Sequence, residues 1–169
     1  MTNKKFWQII DEVRRDSKGS MSAKRRLLRK QLRKLPAREV RSFDAHFGQC
    51  EAKAYTWELW AASYIIGGGC SDDMFSDFRA TIISMGRDVF EQVTQSPEVL
   101  ERLAVNKKNA FSGEGYESVA SDVYEELTGD EMPVRSRPHP KRPKGIDWRE
   151  TEVTDLFPNL ARKHKFHEQ

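Results

Sequence analysis

Cysteine is nearly missing from this chain. Cys50 and Cys70 stand alone among 169 residues, far from the dense spacing of a stapled secreted scaffold, so reduced thiols and a cytoplasmic setting are expected. Long apolar runs are missing as well. No stretch approaches the roughly 18 residues of a spanning helix, and the N-terminal Phe6-Trp7 run turns polar again at Asp11 and Glu12. Neither membrane insertion nor a signal peptide is expected. No two alternating strands are joined by a turn signal, and there is no internal repeat. The lysine of a nucleotide-binding P-loop does not follow Gly67-Gly68-Gly69. His139, His164 and His167 lack the cysteine or carboxylate pattern that would complete a zinc site. No cofactor and no metal are therefore expected.

The residues that are present are enough to fold. A charged fraction of 33% beside a hydrophobic fraction of 37% fits one core with a charged surface, and the length fits one domain with an extension. Thr2 can cap a first helix with Phe6, Ile9, Ile10 and Val13 on one face. A second helix, Ser22 to Leu35, puts Leu28, Leu32 and Leu35 inward and is closed by Pro36. Val40, Phe43, Phe47 and Ala54 mark a third. Thr56 and the Gly67-Gly68-Gly69 stop bracket a short aromatic helix, and Ser71 or Asp72 caps another carrying Phe75, Phe78, Ile82 and Met85. Gly86 breaks the pattern, Val89, Phe90 and Val93 resume it, and Ser96-Pro97-Glu98 restarts it. Asn106 to Gly115 reads as a loop. A last strong helix is expected from Glu114 to Thr128, with Tyr116, Val119, Val123 and Leu127 inward and Gly129 as its stop. The expectation is an all-α bundle of about six to seven helices over residues 1–131.

From Met132 to Gly145 the composition shifts to proline among Arg and Lys, which favours an extended, solvated segment. Residues 132–169 are read as a basic, proline-rich extension whose Ile146, Trp148, Leu156, Phe157, Leu160 and Phe166 dock back as a strap. Charge is segmented along the chain. Residues 1–48 hold 14 Lys/Arg against 5 Asp/Glu, residues 49–132 hold 6 against 16, and the remainder holds 9 against 5.

The run Trp57-Glu-Leu-Trp-Ala-Ala-Ser-Tyr-Ile-Ile-Gly-Gly-Gly-Cys-Ser-Asp-Asp-Met-Phe-Ser-Asp-Phe-Arg79, continuing to Gly86, resembles the core of a bacterial family catalogued as domain of unknown function 4240. Phe6-Trp7 and the Ala120 to Leu127 stretch share that resemblance, which covers most of residues 1–130. The family usually carries an aromatic residue where Ala80 stands here. The resemblance implies a bacterial, intracellular, mostly helical domain, and it supplies no catalytic residues.

Between Ser17 and Arg38 lie nine cations and no acid. Arg25, Arg29 and Arg33 recur at four-residue spacing with Arg26 and Lys30 alongside, a face able to track phosphates or an acidic partner. It holds no Asn or aromatic group suited to reading bases, and it could equally be solvated or lie against the acidic middle of the same molecule. Trp57, Trp60 and Tyr64, with Gly68 and Asp72 nearby, form a second surface, read either as core or as an aromatic wall for a ligand or partner. Cys70, at a helix start and with His46 as a base, is a weak nucleophile candidate. The Asp72-Asp73 pair opposes thiolate formation there, but with Asp77 it could gather a hard cation. The preferred reading is a protein-binding or regulatory module. Non-specific nucleic-acid binding through residues 22–35, and an enzyme centred on Cys70 with Asp72 and Asp73, are the alternatives.

Overall fold

A computed structural model describes residues 1–166 of the chain. Among these residues ten α-helices form, eight of them seven residues or longer: α1 (Asn3–Asp16), α2 (Met21–Leu32), α3 (Ala37–Lys53), α4 (Trp57–Gly67), α5 (Asp72–Ser84), α6 (Arg87–Gln95), α7 (Lys107–Ala110), α8 (Val119–Thr128), α9 (Val153–Leu156) and α10 (Pro158–His164). A 3₁₀ turn at Pro97–Glu101 lies between α6 and α7. The all-α expectation holds, and the larger count comes from the single-turn helices α7 and α9 and from α10 in the extension.

Local chemistry sets most of the boundaries. Thr2, Thr56 and Ser71 accept the amides of Lys5, Leu59 and Met74 at 3.2, 3.1 and 3.3 Å, each satisfying one orphan donor of a first turn. Gly68, at φ +69°, ends α4 in left-handed geometry, and Gly86, at φ +96°, separates α5 from α6. Helix α2 starts slightly earlier than expected, because Ser20 accepts the Ala23 amide, and it ends at Leu32. Within the expected loop, Asn106 and Asn109 close a reciprocal capping box around the single turn of α7.

The last helix of the bundle begins at Val119, later than its pattern suggests. Gly113 lies so close to the backbone of α5 at Asp77 that a side chain has no room, and Gly115 takes φ +72°, so the chain turns through this region before α8 starts. Ala80 faces that approach: a Cβ on Gly113 would sit 2.9 Å from its own.

Helix α8 packs along α2 and α3, α1 packs on α2 and α5, and α9 and α10 cover α4. Phe6, Phe43, Phe47, Phe75, Phe78 and Phe90 fill the centre, all fully buried. Leu127 does not point inward as expected. It remains 44% exposed, in the last turn of α8. In the extension Val153, Phe157, Leu160 and Ala161 are buried and Trp148 and Phe166 pack on the core. Ile146, at 86% exposure, and Leu156 do not dock. Trp148 and Val153 supply those contacts instead.

Candidate functional site

Helix α2 divides its cations between two environments. Leu28 and Leu32 face the core, and Lys24 is carried in with them. Arg29 meets both Asp122 and Glu126 of α8, Arg33 meets Glu126 at 2.7 Å, and Arg25 donates to the Glu114 carbonyl at 2.8 Å. Arg26 and Lys30, one turn apart, and Lys34 in the turn after α2 are exposed and make no ion pair among the described residues. The acidic middle of the chain therefore neutralises one side of the basic helix and leaves the outer row bare.

The aromatic residues of α4 come together, and the extension covers part of them. Trp57 and Trp60 stack at 5.5 Å, and Trp60 stacks on Phe75 at 4.8 Å. Trp60 donates its indole N–H to the Cys70 carbonyl at 3.0 Å. Trp148 lies edge-on to Trp57 and Tyr64, and Phe166 packs on Tyr64. Burial and the neighbouring Glu150 raise the phenol pKa of Tyr64. Tyr64 and exposed Gly68 border a shallow hollow of about 320 Å³ beside the extension. All four aromatics, Trp57, Trp60, Tyr64 and Trp148, are half-buried.

The Cys70 turn does not assemble a nucleophile. Ser63 Oγ–H donates to its sulfur at 3.3 Å. Burial, aided by the negative charge of Asp72 and Asp77, pushes the thiol up to about 11. His46 belongs to another neighbourhood: it stacks on Phe6, and its Nε2 lies 3.1 Å from the Met1 carbonyl. Cys50 is buried, and that burial pushes its thiol up to about 12. Asp72 and Asp73 occupy the first turn of α5, exposed, where carboxylates favour the positive end of the helix. Asp77 is pushed up to about 6 by burial and then by Glu117, Glu114 and Asp73. Among the described residues no group of three or more His, Cys, Asp or Glu is placed to hold a metal ion. His167 lies outside the described residues.

Two arginines that do not stand out in the sequence organise the other end of the bundle. Arg79, 6% exposed, makes no ion pair among the described residues. It donates to the Phe75 and Glu51 carbonyls, contacts His139 Nε2 at 2.6 Å and lies over the rings of Tyr55 and Phe75. Because Glu51 is in the last turn of α3, Arg79 caps the negative end of that helix. Arg135 clamps the extension to α3, with two bonds to Asp44 and one to Glu51, each at 2.8 Å. Its guanidinium crosses α3 at Gly48, where a Cβ would stand 2.7 Å from Nη1. A second fastening lies at Lys144, whose amide donates to Tyr55 and whose carbonyl accepts from Trp57. Between the two fastenings the extension walls a cleft of about 750 Å³ against α1, α3 and α6. The one sequence signal for this arrangement is Gly48, a poor helix former in the middle of a 17-residue helix.

The model of the family described as "Protein of unknown function (DUF4240)" matches residues 1–126. No curated protein and no solved structure matches the chain. With three quarters of its length under that match, the chain belongs to the DUF4240 family, and the extension that walls the cleft lies outside the matched region.

Proposed function

We propose that this chain is a protein-binding module that docks an acidic segment of a partner along the outer face of α2. The observation that carries this reading is the bare row of Arg26, Lys30 and Lys34, held outward by the pairing of Arg29 and Arg33 with α8. A basic row without counter-charge attracts carboxylates and speeds their encounter. Nucleic acid fits this face less well. The row offers no Asn or aromatic side chain with which to read or stack bases. The separation of Cys70 from His46 argues against a Cys-His enzyme. The same reading sets the module in a bacterial cytoplasm, with the free thiols of Cys50 and Cys70 in support.

Fluorescence anisotropy with a labelled Glu-rich peptide tests this directly, alongside labelled duplex and single-stranded oligonucleotides at low and near-physiological salt. The peptide is expected to bind at low salt, and Arg26→Glu, Lys30→Glu and Lys34→Glu together should abolish that binding while leaving the circular dichroism unchanged. Peptide binding that ignores the triple reversal overturns the proposal. An oligonucleotide that binds more tightly than the peptide, and is released by the same reversal, replaces it with the nucleic-acid reading.

A further inference from the structure

The cleft walled by the extension is independent of the α2 face and has its own charge pattern. Its floor includes Trp7 and Phe90, whose rings lie 5.2 Å apart. Lys53, Arg137 and Lys144 line it, and all three are exposed without an ion pair among the described residues. Lys53 places its ammonium over the Phe90 ring at 5.4 Å. The other charges are accounted for. Arg135 is neutralised by Asp44 and Glu51, and Glu91, the acid among the lining residues, is paired with Arg87 at 2.8 Å. The cleft therefore carries three uncompensated cations above an aromatic floor, in a space within the range that small-molecule sites occupy.

His46 is also a lining residue. Its Nε2 faces a carbonyl and must donate, which leaves Nδ1 as an acceptor in the neutral ring. That Nδ1 is buried with no partner among the described residues. A buried acceptor without a donor is costly.

We infer that this cleft binds a small organic anion, a phosphate or carboxylate ester or acid with an apolar body, whose charge meets Lys53, Arg137 and Lys144 and whose body rests toward Trp7 and Phe90. The extension completes the site: the fastenings at Arg135 and Lys144 flank Arg137, which lines the cleft. The role differs from docking on α2 and stands whether or not that docking occurs.

Phenyl phosphate, inorganic phosphate and benzyl alcohol titrated into the ¹⁵N-labelled full chain, read by NMR, test the inference. Phenyl phosphate is expected to shift the Trp7 indole and Gly48 amide signals. Inorganic phosphate should bind about tenfold more weakly and benzyl alcohol not at all. Lys53→Glu and Arg137→Glu, at exposed positions where the fold tolerates change, should each weaken phenyl phosphate about tenfold. The triple reversal on α2 should leave that affinity unchanged. Absence of shifts at Trp7 and Gly48 overturns the site, as does affinity indifferent to Lys53→Glu and Arg137→Glu. Equal binding of phenyl phosphate and benzyl alcohol overturns the anion assignment.

Discussion

Lys24 of α2 donates its ammonium to Ser84 Oγ of α5 at 3.0 Å, across 60 residues of sequence, and both side chains are buried. Ser84 donates its own hydroxyl to the Thr81 carbonyl, so the pair is a hydrogen-bonded chain with no carboxylate in it. Burial, and then the charge of Arg14, pushes the lysine down to about 8. This cation is held inside at a cost.

That cost has a sign and a pH window. The unfolded chain holds the Lys24 proton more tightly than the folded one, so stability should rise as pH climbs from about 8 toward the ordinary lysine value of 10.5. Lys24→Met, which keeps the length of the stem and leaves Ser84 bonded to Thr81, should raise stability at pH 7 by about 2–3 kcal/mol. The gain should shrink as pH rises from about 8 and level off above about 10.5. Urea melts of both proteins across that range measure it, and a Lys24→Met protein less stable than the parent at pH 7 contradicts it.

Arg135→Ala removes the only cation bonded to the buried carboxylates of Asp44 and Glu51 among the described residues. Breaking such a pair costs about 2–4 kcal/mol, discounted for the partial exposure of the arginine. The expected result is a lower melting temperature, with trypsin cutting rapidly after Lys141, since Arg137 and Arg142 are each followed by proline, while helical ellipticity is largely kept. Unchanged proteolysis of the extension would mean that Lys144 and Trp148 suffice to hold it.

Much of the helical scaffold is legible locally. Thr2, Thr56 and Ser71 are readable as caps because a cap needs only its own next turn, and Phe6, Ile9, Ile10 and Val13 are readable as core because their spacing is that of one helix face. Lys24 is not, since a lysine within a basic run reads as surface until a second helix is laid over it. The basic row is legible as a row, yet its division into paired Arg29 and Arg33 and bare Arg26, Lys30 and Lys34 depends on where α8 lies. The start of α8 escapes a local reading because the constraint at Gly113 is the backbone of α5, more than thirty residues away. The cleft is invisible for the same reason: Arg135 finds Asp44 across 91 residues.

Gly113→Ala should be the most damaging glycine substitution of its size. Its Cβ would run into the Asp77 carbonyl and the Thr81 amide, which belong to a helix backbone and cannot step aside. A loss of about 2–3 kcal/mol is expected. Gly129→Ala, in open space at φ +78°, should cost about 1 kcal/mol through backbone strain alone. Thermal melts of the two variants should rank them in that order.

The thiols should be slow to react. With Cys70 at about 11 and Cys50 at about 12, both raised first by burial, little thiolate exists at pH 7.5. Iodoacetamide followed by intact mass should leave the native protein largely unlabelled and label both sites in urea. Fast single labelling at Cys70 under native conditions would revive it as a nucleophile.

The covering of α4 by Trp148 and Phe166 also sets an order of events during synthesis. The stacked indoles of Trp57 and Trp60 leave the ribosome well before Trp148 does, and at about 5–20 residues per second the intervening chain takes several seconds to appear. For that interval a newborn bundle presents an uncapped aromatic face to the cell. The extension thus acts as a late-arriving cover for α4.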